Sequence, residues 1–381
     1  MLQILAIVLL IAMFGGIIYY VSARLYKGFA AVIPKLRFVA VWPIPALLTV
    51  IMVLGFASAF LPFGEEVKNL LKVIGFYWMG IFVYLVLFTL LSDLIIVILR
   101  LCKTSVVKKS AFKIVTIVLV LLLTFSTVGY GLVNAMQIDN VSYEIELPDK
   151  TDISDINIVM VSDLHLGALG SESRLEDIVD EINALKPDVL LIAGDFFDTD
   201  FAAINNPEKA KKTLNKIAAT YGTYACFGNH DAGKTFAQME AFMQESNIRV
   251  LKDESVIIDN RLMLVGRLDG TPIGGFNNEK RKELSSFFVK EDSNMPVIVL
   301  DHNPANINTY NSDVDLILSG HTHRGQIFPA NIITDLINEV DYGYYRKNAN
   351  SPQVVVTSGI GYWGMPMRVG SNSEIVSIRI K

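Results

Sequence analysis

The sequence contains five histidines, His165, His230, His302, His321 and His323, and none precedes position 165. Each follows an apolar stretch of strand length and has an Asp, an Asn or another His beside it or two positions away. Core histidines scattered for packing would not share that setting. The densest cluster is Gly320-His321-Thr322-His323-Arg324-Gly325, directly after the run Val314–Ser319. In extended backbone, side chains at i and i+2 point the same way. His321 and His323 are therefore expected to face one site together.

The other strand ends carry compatible chemistry. Asp163-Leu164-His165 follows the first run, Gly194-Asp195 the second, and Gly228-Asn229-His230-Asp231 the third. Asp301-His302 follows Pro296–Leu300. Carboxylates, imidazoles and one amide oxygen suit Mn, Fe or Zn better than Ca, which prefers oxygen alone. The set is too large for one tetrahedral zinc. It suits two divalent ions sharing a carboxylate, about 3.5–4 Å apart, a geometry that clamps both oxygens of an in-line phosphoryl displacement.

The elements that must position these residues alternate. Strand-like runs are expected at Ile156–Ser162, Val189–Ala193, Tyr224–Phe227, Val256–Ile258, Leu262–Val265, Pro296–Leu300, Val314–Ser319, Val354–Thr357 and Glu374–Ile380. Helical spacing of apolar residues appears at Leu175, Ile178, Val179, Ile182 and Leu185. Pro207 opens a Lys-rich helix expected to reach about Ala219, proline being favoured in a first turn. A further helix is expected at Phe236–Met243. The pattern is α/β with a largely buried sheet or pair of sheets, and sites in such folds lie beyond the carboxyl ends of strands.

The ordered blocks Asp-x-His, Gly-Asp, Gly-Asn-His-Asp, His and Gly-His-x-His resemble the calcineurin-like metallophosphoesterase superfamily over residues 155–380. The resemblance implies a four-layer α/β/β/α sandwich. It implies that Asp163, His165, Asp195 and His323 hold one metal, and that Asp195, Asn229, His302 and His321 hold a second, with Asp195 bridging. It further implies that His230 contacts the phosphate and protonates the leaving group. Asp231 is a candidate to orient that imidazole, or is a helix cap or surface acid. Asp198 reads as supporting the ligands rather than joining them. Ser358-Gly359-Ile360-Gly361-Tyr362-Trp363-Gly364 and His-Thr-His-Arg-Gly-Gln resemble the membrane-associated bacterial branch, which includes phosphodiesterases and lipid A precursor pyrophosphatase-like enzymes. Arg324, where many members have Gly, is a candidate for substrate phosphate. Arg267 and Arg368 are weaker candidates, such residues being more often salt-bridged.

The front of the chain has a different solvent. Overall 52% of the 381 residues are hydrophobic, too many for an ordinary soluble domain. Residues 1–134 carry 11 Lys/Arg and 3 Asp/Glu, a net of +8, whereas residues 135–381 carry 22 and 35, a net of −13. Leu2–Val21, Phe38–Leu61, Val73–Leu91 and Ile114–Val133 are each long enough to cross a bilayer, which needs about 20 apolar residues. Val21-Ser22-Ala23 resembles a signal cleavage site, but no basic segment precedes the first stretch. Basic residues crowd the first connection (Arg24, Lys27, Lys35, Arg37) and the third (Arg100, Lys103, Lys108, Lys109, Lys113). The positive-inside rule places those loops in the cytoplasm and the C-terminal domain outside. Asp93 is expected near the cytoplasmic end of a long third helix.

The chain thus divides into a four-helix membrane region (1–134), a polar linker (135–153, with Pro148 followed by Asp149) read as a short edge strand or tether, and a catalytic domain (154–381). Nucleic acid is a disfavoured partner, because the acidic domain lacks a basic footprint. Serine/threonine protein phosphatases are disfavoured because Thr199-Asp200 stands where that branch has Arg-Gly. Two cysteines, Cys102 and Cys226, one in each region, argue against a disulfide framework. The expected partners are a bilayer and a phosphorylated, possibly lipid-linked, substrate. Tethering supports this, as does the apolar segment Ile327-Phe328-Pro329, Ile332-Ile333 and Leu336-Ile337 after the ligands.

Overall fold

The computed structural model describes residues 2–58, 61–147, 150–288 and 294–381. Residues 59 and 60 of the second apolar stretch, and the Pro148-Asp149 step of the linker, lie outside them. The chain forms two compact units, Met1–Gly131 and Leu132–Lys381.

The first unit is helical: α1 (Leu2–Val32), α2 (Pro43–Phe56), α3 (Glu65–Leu101) and α4 (Ser110–Met136), the last running past the boundary. Three segments among the described residues are long and apolar enough to cross a membrane: Phe38–Phe56, Glu66–Leu101 and Ser110–Met136. The first expected stretch lies in α1. The third stretch extends past Leu91, as a long third helix would: α3 is 37 residues in all and carries Asp93 inside it. That carboxylate accepts from Tyr20 (2.7 Å) and pairs with Arg24 (2.6 Å). A charge inside an apolar helix persists only when so compensated.

The second unit is a two-sheet sandwich. One sheet has the order β1 (Ile138–Ile145), β12 (Ser373–Ile380), β2 (Ile158–Val161), β3 (Val189–Ala193), β4 (Thr223–Cys226), β5 (Ile248–Val250). The other runs β10 (Gly343–Arg346), β11 (Gln353–Val356), β9 (Leu316–Ser319), β8 (Val297–Leu300), β7 (Leu262–Gly266), β6 (Glu254–Ile258). β2 to β5 are mutually parallel, as are β7, β8, β9 and β11. β1, on the stretch read as edge strand or tether, pairs with β12 along its whole length. The short strands β5 and β10 are not apparent from the sequence, being three and four residues long and only partly buried.

Burial explains why the central strands read as unbroken apolar runs. Every residue of β2, β3, β8 and β9 is buried, since both faces of each sheet are covered. Between the sheets, Met160, Leu191 and Ala193 pack with Leu264, Ile298, Leu300 and Leu318. On the outer face of the first sheet, Val161, Leu190 and Ile192 pack with Ile178 and Ile182 of α5 (Leu175–Ala184) and Met239 and Phe242 of α7 (Phe236–Glu245). The Lys-rich helix α6 (Pro207–Leu214) is shorter than expected and is capped at its start by the Asn206 side chain. The outer face of the second sheet is covered mainly by short 3₁₀ turns at Leu284–Ser286 and Pro304–Thr309, so the fourth layer is thinner than an α layer. Fully burying one such Leu or Ile contributes about 1.5–3 kcal/mol, so this core holds the loops at its rim in register.

Candidate metal centre

Five parallel strands end at one rim, and their loops bond to one another before any side chain is counted. Asp163 N–H donates to Gly194 O (3.0 Å), His165 N–H to Asp195 O (3.1 Å) and Gly320 N–H to His302 O (3.0 Å). Asp163, His165, Asp195, His321 and His323 all have φ between 48° and 70°. Left-handed backbone at non-glycine residues costs energy and concentrates at functional sites. Two glycines make the approach possible: a Cβ on Gly228 would overlap Asp195 Oδ1, and one on Gly320 would overlap Ser162 Oγ and Asp163 Oδ2.

The side chains form two adjoining donor groups. In the first, His165 Nε2 lies 3.1 Å from His323 Nε2, and His323 Nε2 lies 3.4 Å from Asp163 Oδ1. Asp195 Oδ2 is 3.8 Å from His165 Nε2. In the second, the same Asp195 Oδ2 is 3.0 Å from His302 Nε2, and His321 Nδ1 lies 2.9 Å from Asn229 Oδ1 and 3.3 Å from His302 Nε2. Asp195 therefore stands between the groups. His321 and His323 serve different groups, as the resemblance implies, rather than pointing the same way as extended backbone would make them. The chain turns into a 3₁₀ segment at His323, which sends the two rings to different groups.

His230 donates its backbone N–H to Asp195 Oδ1 (2.8 Å), and its Nδ1 meets Thr199 Oγ1 (2.6 Å). Its ring sits edge-on to His165, with centroids 5.0 Å apart, and 6.3 Å from the ring of Trp363. Asp231 does not orient this imidazole. Its carboxylate is fully buried and accepts from Phe197 N (2.8 Å) and Gly228 N (2.8 Å), because burial makes backbone amides its available partners. Thr199 takes the place expected of Asp231, and nothing in its sequence context signals that contact. Asp198 lies 3.6 Å from His165 Nδ1.

Arg324 is exposed, with its guanidinium carbon 4.2 Å from the centroid of the Tyr342 ring. Arg267 is buried against Asp253 (2.7 Å). Arg368 is fully buried and donates to the carbonyls of Ser358 (2.7 Å), Gly359 (3.1 Å) and Gly361 (2.6 Å), with Nη2 3.5 Å from His323 Nδ1. It pins the 358–361 loop. Asp301 turns away from the ligand groups into a two-pronged pair with Arg281 (3.0 and 2.6 Å).

The electrostatics follow from crowding. Burial works against ionisation of Asp195, yet the His302 imidazole outweighs it and holds the carboxyl well below the usual range. Burial, then the Asp195 charge, pushes Asp231 up to about 7. Burial lowers His230, and it lowers His323 further with help from His165, so both rings favour the neutral form. Burial also lowers His321, with His302 adding to it. At His302 burial is overcome by Asp195, which raises it. Burial brings the Arg368 guanidinium down to about 10.

This donor set fits divalent metal. Asp163, His165 and His323 form one close cluster, and Asp195, His302 and His321 another. Facing imidazole nitrogens and buried carboxylates leave lone pairs that the protein does not satisfy. Buried His165 Nδ1 faces Asp198 Oδ1 at 3.6 Å, an arrangement that would hold the ring with Nε2 free for a metal.

Comparison with known proteins agrees. The calcineurin-like phosphoesterase family model matches residues 156–325. An Aquifex aeolicus "Uncharacterized metallophosphoesterase" is 32% identical over 63% of this chain and 90% of its own length. A zebrafish (Danio rerio) "Transmembrane protein with metallophosphoesterase domain" is 32% identical over 69% of this chain and 62% of its own. The "UDP-2,3-diacylglucosamine pyrophosphatase LpxG" of Chlamydia trachomatis is 28% identical over 61% of this chain and 86% of its own. The chain spans 61 to 62% of the length of several curated relatives it matches.

Proposed function

The chain belongs to the calcineurin-like metallophosphoesterase family, and from that premise we propose that it is a membrane-anchored, dinuclear-metal hydrolase of phosphate ester or pyrophosphate bonds in a lipid or lipid-linked substrate. The observation that carries the reading is the position of Asp195, whose one carboxylate lies between the two donor groups. Asp163, His165, Asp195 and His323 would hold one ion, and Asp195, Asn229, His302 and His321 the other. Bound there, Mn, Fe or Zn supplies Lewis acidity and neutralises charge at phosphorus.

The remaining work falls to the chain. Thr199 Oγ1 engages His230 Nδ1 and leaves Nε2 for the leaving oxygen, so the ring would act as general acid in its protonated form, giving up the Nε2 proton and returning to neutral. The neutral ring, favoured by burial, gains basicity as an anionic phosphate arrives. Asp231 ties Gly228 to Phe197 and so positions the loop that bears Asn229 and His230. Arg324, stacked on Tyr342 and exposed, would hold a non-reacting phosphate or headgroup oxygen.

Lipid as substrate is supported by α8 (Ala330–Ile337), which follows the ligands and leaves Leu336 78% and Ile337 73% exposed. An apolar helix face bare in water suits acyl chains. The basic loops of the helical unit support a catalytic domain outside the cytoplasm. The test is a screen of full-length protein, loaded separately with Mn, Fe and Zn, against monoesters, diesters, pyrophosphates and phospholipid micelles. Cleavage of lipid substrates, lost in Asp195→Asn with folding intact, is the expected result. Cleavage of water-soluble diesters alone would overturn the lipid assignment, and metal-independent folding without hydrolysis would overturn the enzyme.

A further inference from the structure

The helical unit holds a cavity of about 290 Å³ far in sequence from the metal ligands. Four cations line it: Arg24 and Lys27 of α1, Arg100 of α3 and Lys113 of α4. Asp93 is its single carboxylate, and it is already engaged by Arg24 (2.6 Å) and Tyr20 (2.7 Å). Among the described residues, no carboxylate pairs with Lys27, Arg100 or Lys113. Of the three lining hydroxyls, Ser92 donates to Thr89 O (2.8 Å) and Thr116 to Phe112 O (2.8 Å). The charged donors left for a ligand are Lys27, Arg100 and Lys113.

The cavity is built rather than incidental. Gly28 brings α1 against α4 so closely that a Cβ there would overlap Ile117. Ile117 and Val120 make part of the lining apolar, which strengthens each charge interaction relative to open water. Scattered loop lysines would be solvated separately. Here, three helices bring theirs to one opening.

The geometry points to a binding site for the phosphate of an anionic phospholipid headgroup, seated between the ends of α1, α3 and α4 on the basic side of the membrane. Charge selects the ligand: an excess of three cations over one carboxylate recruits a phosphate-bearing anion. Location selects the source: basic pockets between membrane helices capture headgroups, whose acyl chains remain in the bilayer beside them. The site is independent of the hydrolytic reading, since none of its residues belongs to the metal centre.

Native mass spectrometry of the full-length protein in detergent tests this, with phosphatidylglycerol, phosphatidylcholine and inorganic phosphate as separate probes. Wild type is expected to retain phosphatidylglycerol in preference to phosphatidylcholine. The variant R100Q/K113Q is expected to lose affinity for phosphatidylglycerol roughly 30-fold, from two cations at the usual worth of a basic residue near an anionic surface. Should that variant fail to fold, Lys27→Gln, an exposed change, is expected to lose about fivefold. Equal retention of the two lipids, unchanged affinity in the variants, or binding of inorganic phosphate without any lipid preference would each overturn the proposal.

Discussion

The two sheets of the α/β unit bring different chemistry to their common rim. The first contributes Asp163, His165, Asp195, Asn229 and His230, from loops after β2, β3 and β4. The second contributes His302, His321 and His323, from loops after β8 and β9. Every donor carboxylate of the two groups comes from one side, and three of the four imidazoles in them from the other. Each group mixes the sheets: His323 reaches Asp163 and His165, while His302 reaches Asp195. Neither sheet can assemble a group alone, so the apolar layer between them is as much a part of the site as the ligands. Metal binding at these groups would therefore depend on sandwich stability.

Four perturbations break or sharpen that contrast. Asp195→Asn removes the carboxylate standing between the groups. Because losing a mere supporting partner of a ligand costs about 10–100-fold, hydrolysis should fall more than about a hundredfold, with the far-UV circular dichroism unchanged. Activity within tenfold of wild type would show that Asp195 does not join the groups. Gly320→Ala acts on the other sheet, where the new methyl would meet Ser162 and Asp163. Overpacking of this kind costs about 1–3 kcal/mol, so a thermal-shift assay should report a lower Tm, and elemental analysis less bound metal. Metal retained at full stoichiometry would separate the second sheet's loop from the ligands of the first.

Thr199→Val removes the partner of His230 Nδ1 while leaving every proposed ligand in place. We expect kcat to fall about 10-fold with metal content unchanged, and Thr199→Ser to restore it. An unchanged kcat would assign the ring's orientation to packing against His165 and Trp363. The smallest effect on the fold is expected from Leu336→Glu combined with Ile337→Glu on exposed α8. Stability should move by no more than about 0.5 kcal/mol per site, and turnover of soluble diesters should hold. Turnover of micellar phospholipid should drop. Equal turnover of both substrates would remove α8 from substrate capture.

Much of this architecture is legible in the chain because the cues are local. Val189–Ala193 and Leu262–Val265 read as strands since residues buried on both faces are uniformly apolar, and the observed strands match them to within a residue. β10 and β5 escape notice because short, half-exposed strands owe their pairing to neighbours, not to their own composition. The length of α3 is ambiguous in sequence because Ser92-Asp93 interrupts the apolar run, whereas in the fold the helix runs on and Arg24 and Tyr20 engage the Asp93 carboxylate.

Residue types and their order were enough to nominate the donor groups, to divide the chain by solvent and to identify the family, since ligand chemistry and hydrophobic length are properties of the residues themselves. That Thr199 and not Asp231 meets His230, that Arg368 binds carbonyls, and that four basic residues enclose one cavity depend on the folded chain. Each is a relation between segments far apart in sequence, and only backbone torsion and packing bring such segments to hydrogen-bonding distance.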